Sequence, residues 1–342
     1  MRESEEVRTP GFSGAMALIW TCALVLASCS STRSVDEVLE RTESAPVEQG
    51  VPAPLPKAAP AAEPAAPSES GEVDGTESTP VGPAEALATV DPLELARLAS
   101  RRLEESTEIC TALLPRARAE DASYEDLMAA SRALILNADL RLQSTLALQA
   151  DSGPTPPPEV LIDLEDDVSG ELKSEIRSLA TGSAGFAQRA LALRPGDPAA
   201  ELFSTLGTGL RLWSLPTLQA LASGAATTLP GQIKRLAAAA PDFEGASPLR
   251  LKGRFQSRAP WPFKDLEEGR DTLAAAVDAA PIPLNLLFLG DAHWLCGEEE
   301  SARERWRQAT SAPADAETEG AAPFIRSIAR RRLEGAALAS GR

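Results

Sequence analysis

Three alanine-rich stretches of this chain each end at a proline: "RALALRPGDP" at Pro195, "RLAAAAPDFEG" at Pro241 and "AAAVDAAPIP" at Pro281. Alanine and leucine are strong helix formers, and proline cannot continue a helix because it lacks the N–H and its ring clashes with the preceding turn. Two new helices are predicted soon after such stops, at Asp197-Pro198 and Ser247-Pro248, where a capping side chain precedes a proline in the first turn. This stop-and-start rhythm restricts the chain to helices joined by short connections. Composition agrees: apolar residues make up 43% but aromatic ones only 4%, and strands are enriched in aromatic and β-branched residues. The expected fold class is all-α.

The same signals place further helices. Asp91-Pro92 predicts a helix start, followed by Leu93, Leu95, Leu98 and Leu103 at helical spacings. From about residue 123 to 150, Tyr124, Leu127, Met128, Leu134, Ile135, Leu142 and Leu146 predict a helix with one broad apolar face. The stretch "DSGPTPPPEV" interrupts, and another helix is expected over 168–193. A last helix, near 321–338, combines Phe324, Ile325, Ile328 and Leu333 with Arg326, Arg330, Arg331 and Arg332. One apolar and one charged face suit the terminal cap of a repeat array.

Ahead of the helices the chain is different in kind. An apolar run of about 13 residues, from Ala15 to Ala27, is shorter than the about 20 residues a membrane span needs and matches the core of a signal peptide. It leads into Leu26-Ala27-Ser28-Cys29, which resembles a bacterial lipobox. The resemblance implies that residues 1–28 are a lipoprotein signal peptide and that Cys29 is lipidated. Two or three acyl chains anchor stably where one does not, so the mature protein is expected to face the periplasm, lipid-anchored in the cell envelope. Ser30 stands where an aspartate would resemble an inner-membrane retention signal, which favours the outer membrane. Residues 29–88, dense in proline, alanine, serine and glutamate, read as a disordered acidic tether, since they cannot bury enough apolar surface to offset ordering entropy. A proline-rich spacer of about 50 residues at about 3.1 Å each reaches roughly 150 Å.

Residues 89–342 read as one helical domain. Its clearest unit is "PLNLLFLGDAHWLCGEEESARERWRQATSAP", in which Leu286, Leu289, Gly290 and His293 are followed by Ala302, Trp306, Ala309 and Pro313. This spacing resembles the tetratricopeptide repeat, W-x2-L-G-x2-Y, then A-x3-F, then P. Gly290, Ala302 and Ala309 would let two antiparallel helices approach closely, with Leu289 and Trp306 filling the gap between them. The unit before it carries Gly253, Gly269, Leu273, Ala276 and Pro281, and Ser183, Ala187, Ala190 and Pro195 give a fainter copy. The repeats are therefore placed at 247–281 and 282–313, in a tetratricopeptide-like array of helical hairpins, an α-solenoid. The lipobox, the helical array and "PDFEGASPLRLKGRF" together are also weakly similar to TatT-type lipoproteins, helical-repeat T-components of TRAP solute transporters.

In tetratricopeptide-like folds the first helix of each pair lines a concave groove. Carried over by alignment, the resemblance implies that Leu284, Leu287, Asp291 and Trp294 face such a groove, with Arg250 and Arg254 from the unit before. Arginines beside an aromatic can grip a carboxylate or an extended peptide. The alternative reading of the same residues is that Arg254 pairs with Asp291 on the neighbouring helix. The expected function is a lipid-anchored protein–protein scaffold or adaptor, and the alternative a TatT-like accessory component holding a small ligand in the groove.

The net charge of −17 argues against nucleic acid as a partner, because phosphate contacts need a basic patch. His293 is the only histidine, and the alignment gives it a packing position. No nucleophile elbow, zinc-protease motif, phosphate loop or dinucleotide fingerprint occurs, so neither an enzyme nor a cofactor is expected. Of four cysteines, Cys22 and Cys29 lie in the N-terminal region, while Cys110 and Cys296 are free to form one disulfide or to remain buried thiols.

Overall fold

The computed structural model describes residues 91–340, apart from 224, 260–262 and 317. The segments expected to be a signal peptide and an acidic tether, with Cys29, lie outside the described residues.

Every described element is a helix. In chain order they are α1 (Pro92–Arg118), α2 (Tyr124–Asp151), α3 (Pro158–Asp163), α4 (Gly170–Leu193), α5 (Pro198–Trp213), α6 (Thr217–Ala222), α7 (Ala225–Ala239), α8 (Phe243–Arg258), α9 (Leu266–Ala279), α10 (Pro283–Leu295), α11 (Glu299–Ser311) and α12 (Ala322–Ser340). The starts follow capping chemistry. Asp91, Ser123, Ser169, Asp197 and Asp265 each accept a backbone N–H of the first turn, which satisfies donors that a helix start leaves without partners.

Consecutive long helices pack antiparallel, as cross-helix contacts show. Asn137 of α2 donates to Ser106 of α1 at 3.0 Å, while Arg116 and Asp126 pair at the other end. Between α2 and α4, Ser131 meets Ser183 with their hydroxyls 2.8 Å apart, and Arg141 meets Glu175 at 2.8 Å. Small residues set the closest approaches. A Cβ on Gly207 of α5 would stand 2.7 Å from the Ala180 carbonyl oxygen of α4. One on Gly253 of α8 would stand 2.6 Å from Leu273 Cγ and 2.9 Å from the Gly269 carbonyl oxygen of α9. In α10, a Cβ on Gly290 would fall on the indole of Trp306. Leu289, Ala302, Trp306 and Ala309 are all buried in this hairpin.

Three details depart from the sequence reading. First, α2 is buried nearly all round, including Ser131, Asn137, Gln143 and Ser144, because α1, α4, α5 and α12 all pack on it. A helix covered over most of its circumference, with an edge at Glu125, Ala129 and Arg132 left exposed, does not need one apolar face. Second, the proline-rich interruption contains α3. Pro158 occupies its first turn and Leu161 and Ile162 are buried. Third, the array turns back on itself. In an open solenoid each repeat touches only its neighbours, but here α12 packs against α2, α3 and α10 as well as α11.

The return of α12 is anchored chemically as well as by packing. Its apolar face (Phe324, Ile325, Ile328, Ala329 and Ala336) is buried. Arg331 donates to the carbonyl oxygens of Ala150 and Gly153, both at 2.8 Å, and approaches Asp151 at 3.3 Å. The last turn of α2 holds no basic residue of its own, so Arg331 supplies, from α12, the cation that a helix C-terminus favours. Among the described residues no helix is long and apolar enough to cross a membrane.

Candidate functional site

The residues expected to line a groove converge, but on one another. Asp291 sits on α10, a mostly apolar helix, and is buried. Arg332 of α12, also buried, donates to its Oδ1. The Trp306 indole Nε1–H of α11 donates to the same oxygen at 3.1 Å. Arg254 of α8 reaches Asp291 Oδ2 at 3.4 Å and donates to Glu165 Oε1 at 2.6 Å. Its guanidinium lies 4.4 Å from the centre of the Phe288 ring. Four charges from four parts of the chain therefore balance, two acids against two bases.

Their electrostatics follow from burial. Burial pushes the Asp291 carboxyl above its ordinary range, against the pull of Arg332 and Arg254. It also draws the Arg332 guanidinium down from its usual value, against the pull of Asp291. Burial alone would raise Glu165 too, but the charge and hydrogen bond of Arg254, together with the charges of Arg258 and Arg332, outweigh it and hold that carboxyl below the usual range. Such clusters are costly to desolvate and costly to break.

The remaining candidates close the same region. Leu284 and Leu287 are buried. Trp294 is 8% exposed, lies 5.5 Å from Trp306 between ring centres, and donates its indole N–H to Glu159 of α3 at 2.9 Å. The expectation of an open groove lined by Leu284, Leu287, Asp291 and Trp294 is thus corrected: α3 and α12 lie on that face and fill it. Arg254 pairs with Asp291, and Glu165 adds a second acid.

Arg250 has a local task. Glu244, Gly245 and Ala246 have φ values of 44°, 61° and 58°, a left-handed run that is unfavourable for side chains with a Cβ. Arg250 donates to the Gly245 carbonyl oxygen at 3.2 Å and to Asn285 Oδ1 at 2.9 Å. Asn285 donates in turn to the Gly245 and Ala280 carbonyl oxygens at 3.0 and 2.8 Å. These bonds hold the turn and fix where the regular part of α8 begins, at Ser247 and Pro248.

His293 packs at the α10 C-terminus with Nδ1 2.5 Å from Glu298 Oε2, and Arg270 donates to the same carboxylate. Cys110 and Cys296 are free thiols; burial pushes Cys110 up to about 11. Among the described residues no group of three or more His, Cys, Asp or Glu is arranged to hold a metal ion.

Sequence reasoning missed Glu165, Glu159 and Arg332. A signal for Arg332 existed: it follows Ile325 by seven positions and Ile328 by four, which puts it on the apolar stripe of α12. What the fold and this cluster define is an all-helical protein with an internally closed, charge-balanced core. No family model matches the chain, and no curated protein matches it.

Proposed function

We propose that this chain is a lipid-anchored protein of the cell envelope whose tetratricopeptide-like helical hairpins serve as a protein–protein scaffold. The single observation that carries the helical part is the pair of close-packed hairpins, α8–α9 and α10–α11. Their crossings use Gly253 against Gly269, and Gly290 against Trp306, the small and large positions that the repeat spacing assigns. The anchor rests on Leu26-Ala27-Ser28-Cys29. With the inner face of the C-terminal hairpins filled by α3 and α12, partners of this scaffold bind its outer surfaces, and the acidic segment before α1 sets their distance from the membrane.

The test is metabolic labelling with radioactive palmitate, combined with capture from solubilised envelopes. The wild-type chain incorporates label and fractionates with membranes. Cys29→Ala abolishes labelling, and two acyl chains are enough to account for a complete change in fractionation. Cross-linked capture of the full chain recovers a partner protein in near-stoichiometric amount. Unchanged labelling in Cys29→Ala would refute the anchor, and capture of the chain alone would refute the scaffold.

A further inference from the structure

A cleft of about 510 Å³ lies between α1 and α12, lined by Glu94, Leu95, Arg97, Leu98 and Arg101 on one side and Pro323, Arg326 and Arg330 on the other. It exists because both helices rest on α2, so that a trough is left between them. Two i,i+4 arginine pairs face into it, Arg97 with Arg101 and Arg326 with Arg330. The chain has 50 acidic residues against 33 basic ones, and arginines elsewhere in the structure are commonly paired with them. Among the described residues, none of these four has a carboxylate within ion-pair distance.

Their hydrogen-bonding capacity is also under-used. Arg326 donates through Nη2 to the Ala312 carbonyl oxygen at 2.7 Å, which holds the side chain in place. Its Nε is buried and has no acceptor, and the same is true of Arg330. Both Nε atoms are shut off from the cleft, as is Nε of Arg332 in the Asp291 cluster, so a ligand would meet the terminal nitrogens of these guanidinium groups. Among the described residues that line the cleft, Glu94 is the one acid, and it is exposed. Leu95, Leu98 and Pro323 supply an apolar floor.

We propose that this cleft binds an amphipathic organic monocarboxylate, its head held by the four arginines and its aliphatic or aromatic body laid on Leu95, Leu98 and Pro323. Arginine forks match a carboxylate in geometry and charge. The cleft is open on one side and five of its eight lining residues are charged, which suits a ligand that keeps part of its surface in water and offers an anionic group to the arginines. The inference goes beyond the scaffold reading and does not depend on it, since the cleft is neither the filled face of the hairpins nor part of the anchor.

Calorimetric titration of the full chain with octanoate tests it, with octanamide and inorganic phosphate as comparison probes. Saturable octanoate binding is expected, at least tenfold tighter than either comparison probe and weakened by added salt. The variant Arg97→Gln with Arg101→Gln changes two exposed positions, so its fold is retained, and it should weaken octanoate at least tenfold; Arg326→Gln with Arg330→Gln should do the same. Absence of saturable octanoate binding would overturn the proposal. So would equal binding of octanamide or phosphate, or unchanged affinity in the Arg97, Arg101 variant.

Discussion

Asp291→Ala is expected to destabilise the folded chain by about 3–5 kcal/mol, the range for removing one partner of a buried ion pair. The loss comes from what the substitution leaves behind. Arg332 would remain 2% exposed with no acid on its guanidinium, Arg254 would keep only Glu165, and the Trp306 indole would lose its acceptor. For a domain of this size each kcal/mol shifts Tm by about 2–4 °C, so a fall of roughly 6–20 °C should be seen. Urea denaturation of Asp291→Leu combined with Arg332→Met completes the argument. Removing both charges leaves Glu165 and Arg254 balanced, and replacing a buried pair by apolar groups is often neutral or better. The double variant should recover most of the loss. An Asp291→Ala chain as stable as wild type would mean that the cluster is hydrated and open.

Trp306→Ala is expected to be as severe, about 3–5 kcal/mol for deletion of a fully buried aromatic. Trp306 is 0% exposed and stands against both Gly290 and Trp294. Its ring occupies the space that the missing Cβ of Gly290 leaves, so α10 and α11 would face each other across a void. Trp306→Phe separates packing from hydrogen bonding. It keeps an aromatic ring but removes the N–H to Asp291, which retains Arg332, together with part of the ring volume; a loss of about 1–3 kcal/mol, smaller than that of Trp306→Ala, is expected. Urea midpoints of the two variants provide the comparison. Equal losses would assign the effect to the hydrogen bond rather than to the filled gap.

How far the structure could be read in advance depended on whether the cause was local. Caps are local, so Asp91 and Asp197 marked helix starts correctly. The close crossings were legible because Gly253, Gly269 and Gly290 are small residues within otherwise helical stretches, where two helices can approach. Elements without such a local mark, or against local preference, were not. Pro158 lies in a proline cluster that reads as a break; it occupies the first turn of α3, where proline is favoured, but no capping side chain precedes it to mark the start. Pro230 lies inside α7 although proline ends the alanine-rich helices elsewhere. The candidate site was misread for a related reason. Alignment to a repeat identified Asp291, Trp294 and Arg254 as neighbours on one face, but it carried no information about a segment 41 residues further on. The charge that completes Asp291 comes from Arg332 on α12, and its return to α10 depends on the whole path of the chain.

That return is the central structural claim, and hydrogen–deuterium exchange on α12 tests it most directly. If α12 closes the inner face of the C-terminal hairpins, its amides from about Ile325 to Ala336 should be protected as strongly as those of α10. In Asp291→Ala the two helices should lose protection together, because the same ion pair and indole contact hold both. Exchange of α12 in the wild-type chain within seconds, with α10 still protected, would show a terminal helix that frays independently and would contradict the closed face.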